Sequence, residues 1–177
     1  MRNITLHSPE QIAQARVAAE LAADVLAMIT PHVQPGVSTD ELDRICHDYI
    51  VNVQKAIPAN VGYHGFPKTI CISVNEVVCH GIPSSRVLKD GDIVNIDTAV
   101  IKDGWYGDTS RMYSVGQVSA EAQRLVDVTF DAMWAGIRSV RPGATLGDIG
   151  HAIQSVGEGA GFSAVSYTHL TLPTKRI

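Results

Sequence analysis

Residues 92–113 have the sequence DIVNIDTAVIKDGWYGDTSRMY. β-Branched residues recur between positions 93 and 101, and this enrichment is typical of a strand. Asp103-Gly104 follows, and this dipeptide readily adopts the positive φ angles that a two-residue hairpin turn requires. Residues 105–113 then form the returning strand. The stretch therefore predicts an antiparallel hairpin, and residues 70–78 are predicted to form another strand of the same sheet.

Two aspartates of this hairpin are predicted to share one face of the sheet. With a two-residue turn, Lys102 lies opposite Trp105. Ala99 then lies opposite Asp108, which makes Asp97 and Asp108 diagonal neighbours. Strands disfavour Asp and like charges repel, whereas a divalent cation would turn the pair into a binding site. Two alternatives stay open: the carboxylates are solvated on an exposed strand, or a one-residue slip in the turn separates them onto opposite faces.

The composition is that of an ordinary globular domain. The 177 residues are 45% hydrophobic and 18% charged, and the net charge of −4 comes without a basic cluster, so nucleic acid is not an expected partner. The sequence has no signal-peptide pattern and no apolar run of about 18 residues, which predicts a cytoplasmic protein without a membrane partner. Cys46, Cys71 and Cys79 lack CxxC spacing and are predicted to be buried free thiols.

Four helices are predicted, and they form two similar pairs. Ser8 with Gln11, and Ser38 with Glu41, are predicted to form capping boxes at the first two helix starts. The predicted helices run from Ser8 to Pro31, from Ser38 with Leu42, Ile45, Tyr49 and Val53 on one side, from Ser119 to about Val140, and from Thr145. Pro35-Gly36-Val37-Ser38 matches Pro142-Gly143-Ala144-Thr145 at an offset of 107 residues. We therefore predict two copies of one helix–helix–sheet unit, at about 8–115 and from about 119.

The same offset predicts that the second copy is incomplete. Its sheet would start near Val165 and extend well beyond Ile177, where the sequence ends. Residues 166–177 do not resemble the region that they would mirror. We predict one partial domain over residues 1–165, followed by a non-native tail at 166–177. The alternative is a genuine short C-terminal strand.

Two further segments place a histidine beside a glycine. They are Gly62-Tyr-His-Gly-Phe-Pro67 and Asn75-Glu-Val-Val-Cys-His-Gly-Ile-Pro83. Glycine lets the backbone approach a ligand closely, and imidazole can donate, accept or transfer a proton near neutral pH. Both His64 and His80 are therefore candidates for a functional site, although each could be an ordinary surface or core histidine. The sequence has no His-Glu-x-x-His, Gly-x-Ser-x-Gly or phosphate-loop motif.

These segments, together with Leu88-Lys-Asp-Gly-Asp-Ile-Val-Asn-Ile-Asp97 and Gly107-Asp-Thr109, resemble the type I methionine aminopeptidases. The resemblance runs from about Ser8 to Val165 and covers roughly the first three-fifths of such an enzyme. It implies an α/β (α+β) pita-bread fold, in which two pseudo-symmetric halves surround a curved sheet. The second half would be incomplete in this sequence.

The resemblance also implies roles for individual residues. Asp97 would bind one of two divalent metal ions through both oxygens, and Asp108 would bridge the two ions, whose identity (cobalt, manganese, iron, zinc or nickel) the sequence does not determine. His80 would contact the substrate near the scissile amide as the catalytic residue, and His64 would be a second histidine that lines the site and binds substrate. The methionine pocket would be formed by Tyr63, Phe66 and Cys71. Asn60 stands at a pocket position that is often Cys or another small residue in relatives.

The function implied is metal-dependent removal of the initiator methionine from nascent polypeptides, by a monomeric enzyme that acts near the ribosome. The family's other ligands, one His and two Glu, are not identified here, and His169 is not assigned to that role. We therefore expect little activity from this chain alone. Two alternatives are an Xaa-Pro aminopeptidase or prolidase-like enzyme, and a non-catalytic pita-bread module that binds protein or nucleic acid.

Overall fold

The computed structural model describes residues 5–164, which form two compact units with their boundary between Val118 and Ser119. Short turns of 3₁₀ and π helix at Thr30–His32, Tyr49–Val53 and Tyr63–Gly65 accompany the main elements. The main elements are α1 (Pro9–Ile29), α2 (Thr39–Asp48), β1 (Ile57–Pro58), β2 (Ile70–Val74), β3 (Ile93–Lys102), β4 (Trp105–Ser114), α3 (Ala120–Ser139) and α4 (Leu146–Gly159). None of the helices within 5–164 is long and apolar enough to span a bilayer. The predicted tail, 166–177, lies outside the described residues.

The first unit contains a four-stranded antiparallel sheet with β3 at its centre. β4 pairs with one side of β3, and β2 and β1 pair with its other side. Lys102 lies opposite Trp105 and Ala99 opposite Asp108, so the predicted hairpin register is confirmed. The turn has φ angles of 51° at Asp103 and 83° at Gly104, as a two-residue loop of this type requires.

Helix α1 packs on one face of this sheet and forms the core with it. Buried apolar residues of α1, α2, β2, β3 and β4 make one continuous cluster. The Tyr113 hydroxyl donates a hydrogen bond to the Leu26 carbonyl at 2.7 Å, which ties β4 to α1. Gly107 of β4 lies against the backbone of Ala18 and leaves no room for a Cβ atom. The helix therefore covers the sheet face opposite to Asp97, and that carboxylate is left on the free face.

The predicted helix starts are confirmed, with one difference in α2. Ser8 and Thr145 both form complete capping boxes. The Ser38 hydroxyl accepts a hydrogen bond from the Glu41 N–H at 3.2 Å. The Glu41 side chain, however, forms an ion pair with Arg44 at 2.7 Å instead of completing the box. A nearby guanidinium on the same helical face competes successfully for that carboxylate.

The predicted apolar side of the second helix is confirmed for Leu42, Ile45 and Tyr49, which are buried or pack against the core, and is wrong at Val53. The fully buried apolar positions are Leu42, Cys46 and Ile50, whereas Val53 is 65% exposed. A π-helical turn over Tyr49–Val53 follows α2 directly. Such a turn adds a residue relative to α-helical spacing and rotates the following side chains away from the face expected of a regular helix. The sequence periodicity of 3.6 therefore does not apply there.

The predicted strand 70–78 is shorter in the structure. β2 ends at Val74, because Asn75 adopts a φ of 53° and turns the chain. The Asn75 side chain donates to Asp92 at 2.8 Å and accepts from the Ile93 N–H at 3.0 Å. Asn tolerates the left-handed region better than the β-branched residues that follow it. The segment after Asn75 therefore leaves the sheet and carries His80 around the end of β2.

The second unit consists of α3 and α4, packed side by side. Their bounds confirm the predicted helices from Ser119 and from Thr145. Gly136 of α3 allows close approach of Ile153 from α4. That the two units are copies of one repeat, the second incomplete, stays a prediction.

Asp43 provides a first testable contribution to stability. Its Oδ1 atom accepts hydrogen bonds from the backbone N–H groups of Thr69 at 2.8 Å and Ile70 at 3.0 Å, and thereby joins α2 to β2. Because both bonds reach one oxygen, Asp43→Asn can retain them, whereas Asp43→Ala leaves two buried donors unpaired. We expect Asp43→Ala to lower the free energy of unfolding by about 2–4 kcal/mol in urea titrations.

The Asn variant is the matched control. Burial raises the pKa of the Asp43 carboxyl. The ionised carboxylate therefore destabilises the folded chain. This loss of stability develops as the pH rises from the ordinary Asp pKa to the raised one. Above that interval, Asp43→Asn should be at least as stable as the unmodified chain. Equal losses in the Ala and Asn variants would contradict the role assigned to these two hydrogen bonds.

Candidate active site

A cavity of about 500 Å³ opens on the free face of the sheet, wholly within the first unit. It contains every residue for which the sequence implied a role. These residues are His80, His64, Tyr63, Phe66, Cys71, Asp97 and Asp108. The other residues of its wall are Asn60, Gly65, Pro67 and Ile82. The loop before β2, the strands β2 to β4 and the segment after β2 thus converge on one site.

Asp97 and Asp108 project from neighbouring strands into this cavity. Asp97 lies opposite Ser110, two positions along β4 from Asp108, so the carboxylates are diagonal neighbours on one face. Asp97 is partly buried and Asp108 is exposed. Burial, and after it the charge of Asp108, raises the pKa of the Asp97 carboxyl, while nearby His80 lowers it. The pair therefore carries an unrelieved repulsion that a cation would neutralise.

The chemistry of this pair fits a divalent metal ion. Carboxylate oxygens are hard ligands, and divalent cations such as Mn²⁺ favour them. Within residues 5–164, no group of three or more His, Cys, Asp and Glu side chains is arranged to hold a metal ion. Asp97 and Asp108 could therefore supply only part of the ligands of such an ion, and further donors would be needed for tight binding.

Both histidines of the cavity lie on strained backbone. The φ angle is 48° at His64 and 53° at His80, in the left-handed region that non-glycine residues rarely adopt. The His64 ring contacts the Tyr63 ring edge-on, with 4.4 Å between centroids. Left-handed residues at a cleft are frequently held there for function. Here they place both histidines in the wall of the cavity that also contains the two carboxylates.

The cavity also has an apolar, sulfur-containing wall. Cys71 of β2 lies directly opposite Asp97 of β3 and is buried. Burial, then the negative charge of Asp97, raises the pKa of the Cys71 thiol to about 11. The Asn60 amide donates to the Thr69 carbonyl at 3.2 Å, which fixes its side chain at the cavity wall. A neutral thiol beside aromatic rings suits an apolar, polarizable side chain of a ligand.

Comparison with known proteins identifies the family. The profile of metallopeptidase family M24 matches residues 13–172. The chain belongs to this metallopeptidase family. It is 57% identical over 163 residues to the methionine aminopeptidase of Escherichia coli K12, an alignment that covers 92% of this chain and 62% of that protein. The chain thus spans about three-fifths of the length of the curated relatives that it matches.

Solved structures confirm the fold of this M24 chain. The crystal structure of methionine aminopeptidase from Rickettsia prowazekii superposes with a TM-score of 0.89 at 55% identity, covering 91% of this chain and 64% of that one. Xaa-Pro dipeptidase from Bacillus anthracis superposes with a TM-score of 0.77 at 20% identity, covering 88% and 42%, and this likeness shows the fold alone. The predicted pita-bread fold is thereby confirmed.

The sequence motifs had not singled out three residues of the wall. Gly65, Pro67 and Ile82 line the cavity. Each lies within the two quoted histidine segments, 62–67 and 75–83. Their only sequence signal was a position within three residues of a candidate histidine, since none of the three has a reactive side chain.

The thiols provide a second testable prediction. All three cysteines are free, but Cys79 is exposed, which corrects the prediction that all are buried. Burial, then the charge of Asp43, raises the pKa of the Cys46 thiol to about 12, and the pKa of Cys71 is also raised. Because the thiolate is the reactive form, an aromatic disulfide reagent should modify one thiol quickly in the native chain and three after denaturation. A Cys79→Ser variant should lose the fast reaction, and rapid modification of two thiols in that variant would contradict the burial.

Proposed function

We propose that this chain forms the substrate pocket and part of the metal site of a methionine aminopeptidase, which removes the initiator methionine from nascent polypeptides. The observation that carries this proposal is the convergence of His64, His80, Cys71, Asp97 and Asp108 on one cavity. The identity of 57% to the Escherichia coli enzyme, against 20% to the Xaa-Pro dipeptidase, favours methionine over Xaa-Pro substrates.

Asp97 and Asp108 would together hold two divalent metal ions. When bound, such ions polarise a peptide carbonyl and lower the pKa of water. The diagonal placement of the carboxylates on β3 and β4 supports a shared ligand. Cobalt, manganese, iron, zinc and nickel are all candidates, and metal analysis of the purified protein would identify the ion that is used.

The chain's other residues would bind and orient the peptide. The apolar wall formed by Tyr63, Phe66 and Cys71 suits the flexible, unbranched thioether of methionine. His64 would line the same pocket. His80 would donate or accept a hydrogen bond at the first peptide bond, and a donor there stabilises the charge that develops on the reacting carbonyl. This chain would thus select the N-terminal methionine of the substrate and position its first peptide bond.

The proposal extends to the setting in which the enzyme acts. Nascent polypeptides with an N-terminal methionine would be its substrates, in the cytoplasm and close to the ribosome, and the complete enzyme would act as a monomer. The overall negative charge of the chain, −4, is consistent with a protein substrate and not with nucleic acid.

A hybrid enzyme tests this function. Residues 1–164 would replace the aligned part of the Escherichia coli methionine aminopeptidase, which supplies the remaining two-fifths. We expect the hybrid with added Mn²⁺ or Co²⁺ to release methionine from Met-Ala-Ser and to leave Ala-Pro-Ser intact, whereas this chain alone shows little turnover. A folded, metal-loaded hybrid that cleaves only Ala-Pro-Ser would favour the Xaa-Pro alternative. One that cleaves neither peptide would contradict both activities and favour a binding module.

A further inference from the structure

The segment that carries His80 is attached to β2 at two consecutive residues. The Ile72 N–H donates a hydrogen bond to the Gly81 carbonyl at 2.9 Å. The Gly81 N–H in turn donates to the Ser73 hydroxyl oxygen at 3.2 Å. Gly81 also packs so closely on the Ile72 carbonyl that a Cβ atom would collide with it. The residue after His80 is therefore fixed on both its N–H and its C=O side.

The hydrogen bond from Gly81 has a direct consequence for His80. The Gly81 N–H belongs to the peptide plane that joins His80 to Gly81, so its direction determines ψ of His80. His80 has a φ angle of 53°, a conformation that is unfavourable for a residue other than glycine. Such a conformation persists only where the surroundings hold it. The Ser73 hydroxyl accepts a hydrogen bond from the N–H group of that peptide plane and thereby holds the plane in place.

Ser73 is a buried residue of β2 whose hydroxyl contacts the segment that carries His80. It is 4% exposed and stands in the middle of β2, where every residue is buried. It lies opposite Asn95 of β3, while Cys71 lies opposite Asp97 two positions away. Ser73 is thus on the same sheet face as the cavity residues Cys71 and Asp97. A hydroxyl in such a strand is costly unless it makes a hydrogen bond, and this one accepts from Gly81.

We propose that Ser73 is a positioning residue for His80, because its buried hydroxyl fixes the backbone from which the imidazole enters the cavity. The inference rests on the proposed function, in which His80 contacts the substrate. Ser73 itself does not line the cavity and acts only through Gly81. Without its hydroxyl, Gly81 keeps the hydrogen bond from Ile72, and the peptide plane before it can rotate.

Nuclear magnetic resonance of the histidine rings in this chain tests the proposal without any enzymatic activity. His80 is assigned by the signal lost in His80→Gln. In Ser73→Ala, we expect the His80 ring signal to shift or broaden by more than the His64 signal, which reports on a separate loop. Ser73→Thr retains the hydroxyl and should restore the original signal. A His80 signal that is unchanged in a folded Ser73→Ala variant would overturn the proposal.

Two further measurements protect the test against misfolding. Ser73→Cys keeps nearly the same volume with a weaker acceptor, and it should displace the His80 signal as Ser73→Ala does. In the unmodified chain, the Gly81 amide should exchange with solvent at least about tenfold more slowly than the exposed Val78 amide. Equal exchange rates would overturn the proposal even if no variant folds.

Turnover in the hybrid separates this inference from the proposed function. If the hybrid is active, Ser73→Ala should lower kcat with little change in KM, because the aligned imidazole is needed at the reacting bond and not for binding the methionine side chain. An inactive unmodified hybrid would contradict the function and leave the ring-signal result standing. An active hybrid in which Ser73→Ala changes neither kcat nor the His80 signal would contradict Ser73 alone.

Discussion

Asp97→Asn should weaken the binding of Mn²⁺ to the hybrid enzyme by more than about 100-fold and abolish its turnover. Loss of residues that merely support a metal ligand costs 10- to 100-fold in affinity, and Asp97 is proposed to be a ligand itself. Asn offers a neutral amide oxygen in place of a charged carboxylate. Asp108→Asn should have a similar effect, since it removes the second proposed carboxylate ligand. Isothermal titration with Mn²⁺ and release of methionine from Met-Ala-Ser would measure both losses.

The metal-free chain should respond in the opposite direction. Burial and the charge of Asp108 raise the pKa of Asp97, so the ionised carboxylate destabilises the folded state above the raised pKa. We therefore expect metal-free Asp97→Asn to melt at a higher temperature than the unmodified chain near neutral pH. The advantage should disappear as the pH falls below the ordinary Asp pKa, where both folded and unfolded chains are protonated.

Asp103→Asn is the matched control for both experiments. Asp103 is exposed at the turn of the same hairpin, and Asn adopts its φ angle of 51° readily. The same change of charge there should leave metal affinity and turnover unaltered. Equal losses in the Asp97 and Asp103 variants would show a general effect of charge and exclude a specific metal site at Asp97.

The hairpin was predictable from the sequence because its determinants are local. Asp103-Gly104 specifies a two-residue turn, and that turn alone determines which residue of β3 lies opposite each residue of β4. The shared face of Asp97 and Asp108 follows from this register. The N-terminal starts of three helices were predictable for the same reason, since the side chains of Ser8, Ser119 and Thr145 cap them locally.

The features that depend on competing contacts were not predictable. The π turn after α2 has no periodic signature, so the expected burial of Val53 is wrong. The Glu41 carboxylate accepts a hydrogen bond from Arg44 instead of completing the capping box, and the capping-box pattern does not show this competition. The end of β2 at Val74 depends on hydrogen bonds between the Asn75 side chain and the residues Asp92 and Ile93, which are far along the sequence.

The residues of the candidate site were predictable from the sequence, whereas the contacts that hold those residues in place were not. Motifs and the family resemblance named the residues that now line one cavity. Their roles stay proposals, because a position in a cavity does not by itself show what a side chain binds. The hydrogen bonds that hold the segment of His80 come from Ile72 and Ser73, and neither residue belongs to a motif that was quoted for its chemistry. A buried serine in an apolar strand was the one sequence signal that could have indicated them.

Gly107→Ala should destabilise the first unit by about 3 kcal/mol, through backbone collision and not through loss of flexibility. A Cβ atom at this position would collide with the carbonyl group of Ala18 and the nitrogen of Ala19. Backbone atoms of a packed helix cannot rotate away as a side chain can, so β4 and α1 must separate. Thermal and urea unfolding of the chain would measure the loss.

The same displacement should reach the proposed metal site, because Asp108 directly follows Gly107 in β4. We expect the fraction of Gly107→Ala hybrid that folds to bind Mn²⁺ more weakly than the unmodified hybrid. Gly159→Ala is the control: Gly159 is the last residue of α4, its Cβ would meet no atom within 4 Å, and Ala favours helix. It should be neutral or slightly stabilising. A Gly107→Ala chain with unchanged unfolding would show that β4 and α1 are not in the close contact from which the orientation of Asp108 follows.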